Sequence, residues 1–297
     1  MTPRLERPSA GVLEECDGMD REPEESRGIL APAAGEARFT RALRDPDPEL
    51  APWVDRHWIV RWELPAGEPF TQAILPSPCV NLSSEPGLIA VYGIPLDRSL
   101  HTIEGTGMVV GTKFLPGGFA PFSSVPASLL NDRIVDPSEP LGPAGGELKA
   151  RLERLAGDAD GHIAAVEEFL LERRPEPDPR YALVRESAGD MLTVPPATTV
   201  AEIAARQGVS ARTLQRAFND YVGVSPKWVL KRYRMHAAAD RIASGEGDDL
   251  AGLAADLGYF DQAHFTGDFR AQIGRPPAEY ARICAAAAGR SEAAVAG

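Results

Sequence analysis

The chain has 297 residues and carries 31 Lys and Arg against 43 Asp and Glu, a formal charge of −12. That length fits two domains of ordinary size, and on whole-chain charge alone an acidic protein is a poor default candidate for DNA binding. No apolar run is long enough to span a bilayer and no signal peptide opens the chain. Cys16, Cys79 and Cys284 are too scattered for a disulfide framework or a zinc site, so a cytoplasmic protein is expected.

Residues 1–36 combine four basic and nine acidic groups with Pro and Gly, and are expected to form a disordered acidic tail. Residues 37–174 read as a β-rich domain ending in helices. Trp58, Val60 and Trp62 alternate with Ile59, Arg61 and Glu63, which is the period of a strand. Short apolar segments follow at 70–75, 79–83, 88–94, 101–104 and 108–114, separated by Pro76, Pro78, Pro86, Gly87, Pro95 and the pair Gly117-Gly118. Many short strands with close turns suggest a small barrel or sandwich. A barrel-bound metal would need clustered His with a carboxylate. Only His57 and His101 stand here, so neither metal nor cofactor is expected. Trp53, Trp58, Trp62, Phe114 and Phe119 are either core or the lining of an apolar pocket, with Trp58, Trp62 and Phe114 as the candidate ligand-binding residues. Lys113 and His57 are candidates to meet a ligand carboxylate. Residues 141–155 and 162–174 read as helices, the second with an apolar stripe of Ile163, Val166, Phe169 and Leu170 expected to pack within the chain. Pro175, Pro177 and Pro179 make residues 175–180 a stiff linker.

Residues 181–285 contain a segment that occurs twice. Ile203, Ala204 and Gly208 recur as Leu253, Ala254 and Gly258, a shift of fifty. Phe218, Gly223 and Pro226 recur as Phe269, Gly274 and Pro277, a shift of fifty-one, so the second turn holds one extra residue. Each copy reads as a helix, a Gly turn and a second amphipathic helix, a helix-turn-helix. Ser210 stands at an N-cap position, so the first reading helix is expected over 211–220. Its apolar face is Leu214, Ala217 and Phe218, and its other face carries Arg212, Gln215 and Arg216. Arg can bind guanine bidentately and Gln can bind adenine. A linking helix is expected over 226–244, with Lys227, Lys231, Arg232 and Arg234 as its basic, DNA-binding side and Lys231 and Arg232 expected on phosphates. Residues 286–297 are expected to form a disordered tail.

The string Gly258-Tyr259-Phe260-Asp261-Gln262-Ala263-His264-Phe265, then Asp268-Phe269-Arg270 and Gly274-Arg275-Pro276-Pro277, resembles the signature of the AraC/XylS family of bacterial transcription regulators. The resemblance covers about residues 184–283. It implies two helix-turn-helix units joined by a long helix and double-stranded operator DNA as partner; on the second reading helix Gln262 and Thr266 remain as candidate base contacts, with no cation beside them. RNA polymerase and a second copy of the chain are further candidate partners. The strings at 78–82 and 111–119 are similar to an N-terminal domain found ahead of some AraC-type domains, and wider relatives use a cupin-like barrel there as a small-molecule sensor. The implied fold is α+β and multidomain, a β-rich domain followed by an all-α one.

One departure stands out: Gly267, followed by Asp268, occupies a place usually basic or polar in that family. Charge runs the same way. Residues 200–241 hold eight Lys and Arg against three Asp and Glu, whereas residues 242–290 hold four against seven. Phosphate binding scales with neutralised phosphates, so the first unit and linking helix are expected to dominate affinity. The expected function is sequence-specific transcription regulation, not catalysis. The rivals are a DNA-targeted enzyme of the repair-methyltransferase kind and a ligandless nucleoid protein. The first would need a reactive Cys, and neither Cys16 nor Cys79 has the setting for one.

Overall fold

A computed structural model describes residues 28–35, 38–193, 198–247 and 249–295. Eight strands come first: β1 (Thr40–Arg44), β2 (Val54–Glu63), β3 (Phe70–Ile74), β4 (Asn81–Glu85), β5 (Leu88–Tyr92), β6 (Ser99–Ile103), β7 (Thr106–Phe114) and β8 (Ile134–Val135). Six of them make an antiparallel sheet in the order β1-β2-β7-β4-β5-β8, and β3 pairs with β6 alone. The strands expected from alternation are therefore present, but their hydrogen bonds do not close them into a ring. β1 and β8 carry no alternation long enough to be legible in the sequence.

Strand period divides the large sheet into two faces. Ile59 and Val110 face inward onto Ala159, and Val54, Leu82, Val91 and Phe114 join the main core. The other face carries Trp58, directly opposite Gly111, and Trp62, directly opposite Gly107. A Cβ on either glycine would come within 2.3 Å of the indole beside it, so the two glycines give the rings their place on the strand.

Ten helices follow among the described residues: α1 (Ser138–Leu141), α2 (Pro143–Arg154), α3 (Ala159–Leu171), α4 (Pro179–Thr193), α5 (Val200–Arg206), α6 (Ala211–Tyr221), α7 (Pro226–Ala243), α8 (Leu250–Asp256), α9 (Gln262–Ile273) and α10 (Pro277–Val295). In α3, Val166, Phe169 and Leu170 are buried against the sheet and α2, in the same chain. No described helix is long and apolar enough to cross a membrane.

Three expected boundaries shift. Residues 28–35 belong to the fold rather than to a tail: Ile29 bridges to Ile74, Leu30 N donates to Ala73 O at 3.0 Å, and Leu30 and Ala31 are buried. The acidic average over 1–36 masked this short apolar end. Residues 1–27, including Cys16, lie outside the described residues. The linker is shorter than 175–180, because Asp178 O accepts from Ala182 N and α4 already begins at Pro179. At the other end α10 continues to Val295, through residues read as a tail from 286. Ala-rich sequence there favours helix over coil.

The two domains share cores. One buried cluster runs from Leu50, Val80 and Phe114 through α2 and α3 to Leu214, Phe218 and Val229. A second joins Leu30 and Leu75 to Met235, Phe265, Phe269 and Tyr280.

Candidate nucleic-acid interface

Each unit of the repeat is built by the same local chemistry. Thr199 caps α5 by accepting from Glu202 N, and the Glu202 side chain accepts in return from Thr199 N. Asp249 caps α8 by accepting from Gly252 N at 2.8 Å. Ala204 and Ala254 are both buried, at 1% exposure, where the two helices of each unit meet. The turns pass through Gly208 at φ 67° and Gly258 at φ 74°, a backbone that L side chains rarely adopt. Ser210 then caps α6 by accepting from Thr213 N, and Asp261 caps α9 by accepting from His264 N.

The α6 helix buries Leu214, Ala217 and Phe218, and leaves Arg212, Gln215 and Arg216 exposed. Arg212 and Arg216 are one turn apart on that face. Asp220, at the far end, is paired with Arg180. The α9 helix buries Phe265, Phe269 and Ile273; Gln262 and Gly267 are exposed and Thr266 is half-buried. Its outer face has no Lys or Arg until Arg270.

On α7 the expected basic side is largely turned to other work. Lys227 is exposed. Lys231 Nζ lies 2.8 Å from Asp268 Oδ1 on α9, and Asp268 also accepts from Tyr259 OH at 3.2 Å. Asp268 thus points inward and does not oppose a phosphate. Arg234 is half-buried and donates to Thr198 O at 2.8 Å, tying α7 to the start of the first unit. Arg232 is the clearest correction. It is 2% exposed, stacks over Trp228 with its guanidinium carbon 4.4 Å from the ring centre, and donates to Leu96 O at 2.5 Å and Pro76 O at 3.3 Å. Burial pushes its guanidinium down to about 10, and Asp97 works in the opposite direction. It remains charged at neutral pH and holds the N-terminal domain, not a phosphate.

Other contacts place that domain against the back of both units. Asn131 Nδ2 donates to Gly223 O at 2.9 Å, just past α6. Arg98 Nη1 reaches Ile273 O, at the end of α9, at 3.4 Å. Tyr181 OH donates to Pro52 O at 2.6 Å.

The expected ligand residues do not converge. Phe114 is fully buried against Phe119 and Phe122, whereas Trp58 and Trp62 are half-buried on the opposite face. Three positions along β7 separate Phe114 from the partner of Trp58, and an odd step reverses the face. The two side chains expected to meet a ligand carboxylate meet the protein's own. Lys113 Nζ lies 2.9 Å from Asp55, and buried His57 lies 3.1 Å from Glu167 through Nε2 and 2.9 Å from Thr112 Oγ1 through Nδ1. Burial lowers the His57 pKa and Glu167 opposes the shift. Cys79 and Cys284 are buried free thiols, and burial pushes Cys79 up to about 12.

With that geometry in place, comparison with known proteins becomes specific. Residues 188–283 match the family described as a helix-turn-helix domain. They form an AraC-type helix-turn-helix domain. Residues 44–136, ahead of it, match a domain of unknown function (DUF6597). The chain is 34% identical over 82 residues to a putative AraC-like transcription regulator of Streptomyces lividans, covering 28% of this chain and 27% of that one. To the transcriptional activator NphR of a Rhodococcus species it is 26% identical over 222 residues, 72% of this chain and 58% of the relative. It thus spans about a quarter and less than two thirds of those two lengths. ToxT from Vibrio cholerae O395 is similar at 10% identity over 84% of this chain and 99% of that chain, with a TM-score of 0.34, too loose a likeness to bear on the site.

Proposed function

We propose that this protein is a sequence-specific transcription regulator that binds double-stranded DNA in the bacterial cytoplasm and answers a small molecule through its N-terminal domain. The observation that carries the reading is the pairing of exposed Arg212, Gln215 and Arg216 on α6 with a second, equivalently capped unit. Donors on the outer face of a helix whose inner face is Leu214 and Phe218 suit a major groove. Lys227 adds a phosphate contact at the start of α7. Gln262 and Thr266 add base contacts with no cation beside them.

The test is selection of bound DNA from a random pool by the full chain. A discrete preferred sequence supports a regulator; indifferent binding supports a nucleoid protein and sinks the proposal. Two copies of the whole selected sequence, beyond the adjacent contacts that the two units of one chain can make, would indicate a dimer, and transcription from the selected site with purified polymerase reports contact with that enzyme. For the effector, the half-exposed face with Trp58 and Trp62 is the better candidate surface, and Phe114 drops out. Quenching of tryptophan fluorescence that is lost in Trp58→Phe would support it. An enzyme built on a methyl-accepting thiolate is disfavoured, because such a nucleophile needs a lowered pKa and burial raises that of Cys79.

A further inference from the structure

The extra residue of the repeat can be located. Val209 N donates to Ala204 O at 3.0 Å, and Tyr259 N donates to Ala254 O at 2.9 Å. Both side chains are half-buried, Val209 against the core of the first unit and Tyr259 against that of the second. Val209 and Tyr259 are therefore equivalent, as are the caps Ser210 and Asp261. Nothing stands between Val209 and Ser210. Between Tyr259 and Asp261 stands Phe260, which is the inserted residue.

Phe260 is 96% exposed, and the next most exposed large hydrophobic residue among those described, Ile134, is at 60%. A single exposed hydrophobic residue is ordinary on a protein surface, and this ring contributes nothing to the core. Its position is what sets it apart. It immediately precedes the cap of α9, at the end of a reading helix that enters a groove first. Around it the outer face carries Gln262, Ala263, Thr266 and Gly267, with exposed His264 set edge-on to Tyr259 and 3.7 Å from Asp268, and a Cβ on Gly267 would meet nothing within 4 Å. The two nearby carboxylates have internal partners, Asp261 at His264 N and Asp268 at Lys231 and Tyr259. The only apolar group on a base edge in the major groove is the C5-methyl of thymine.

We propose that Phe260 is a specificity residue of the second unit that packs on a thymine methyl. The first unit reads with cations and the second with an inserted aromatic ring. The inference rests on the DNA-reading function above. Its test uses the full chain on the operator that the chain itself selects, with each thymine replaced in turn by uracil, which removes only the methyl. At one thymine, wild type loses about fourfold in affinity, the worth of one buried methyl group. Phe260→Ala binds more weakly by at least as much and is indifferent to that replacement. Phe260→Leu keeps part of the discrimination, and Arg216→Ala keeps all of it. Thermal unfolding of Phe260→Ala matches wild type, because the ring has no place in the core. Indifference of wild type to every uracil, or a uracil penalty that persists in Phe260→Ala, overturns the inference while leaving DNA reading intact. Absence of any selected sequence overturns both.

Discussion

In the first helix-turn-helix unit, Leu214 and Phe218 share a core with Phe114 and Leu152 of the N-terminal domain, while Arg212 and Arg216 stand outward. In the second, Phe265 and Phe269 pack with Tyr280 and with Leu30 and Leu75, and the outward face has Gln262, Thr266, Gly267 and Phe260. The two units are thus alike in helix order and in having side-chain N-caps, but unequal in turn length and outer-face chemistry. Duplication fixed the inner faces, which must satisfy the same helix packing. On the proposed function, the outer faces differ in the same way: electrostatic reading in one and short-range contact in the other.

The largest expected effect concerns what holds the units in place. Arg232→Ala leaves Leu96 O without its donor and Pro76 O with His236 Nε2 alone, at 3.4 Å. A cost on the order of 3 kcal/mol follows for hydrogen bonds to a charged group, read as a lowered midpoint in urea unfolding. If instead the variant unfolds like wild type and loses one unit of salt slope in DNA binding, Arg232 belongs to the phosphate interface after all.

Next is base reading. Arg216→Ala should cost about 1–3 kcal/mol on the selected site and relax preference at one position. Unchanged affinity with unchanged preference would take the first unit's face out of the interface. In the second unit, Gly267→Arg should gain about 1 kcal/mol or more in affinity, since it restores helix propensity and adds a cation where the structure leaves open space. Weaker binding would mean that α9 approaches DNA too closely there for a side chain.

A smaller effect tests the frame behind both units. Burial holds the folded His57 below the ordinary imidazole value of 6.5, with Glu167 opposing. The unfolded chain therefore binds the proton more readily, and stability is full above 6.5 and declines as pH falls through that value. The melting temperature should fall between pH 7 and about pH 5, before most carboxylates titrate, and His57→Gln should flatten that slope. A slope identical in the variant would assign the pH dependence elsewhere.

Much of the C-terminal half was legible because its signals are local: the glycines at 208 and 258, the caps at 210 and 261, and the spacing of Leu214 and Phe218 or Phe265 and Phe269. The strands also announced themselves, through Trp58-Val60-Trp62. What sequence could not disclose is which partner a charge would find. Arg232 and Lys227 stand on the same helix and look alike as residues. Only the packing of the loops at Pro76 and Leu96 onto α7 buries one and leaves the other exposed. Lys231 and Asp268 are thirty-seven positions apart, and their pairing depends on how α7 and α9 cross. Phe114 and Trp62 are both aromatic residues on neighbouring strands, and only the register puts them on opposite faces. The fifty-to-fifty-one shift is a functional signal of another kind: it is present in the sequence, but it marks Phe260 only once the turn hydrogen bonds are known.

The inequality of the two units is tested most directly by one binding series on one selected operator, comparing wild type, Arg216→Ala and the double variant Gln262→Ala/Thr266→Ala. The single loss of Arg216 should cost more than the double loss in the second unit, because a bidentate cationic contact outweighs two neutral ones. If the Gln262/Thr266 pair is the costlier loss, the second unit is the main reader and the division of labour drawn from charge is wrong.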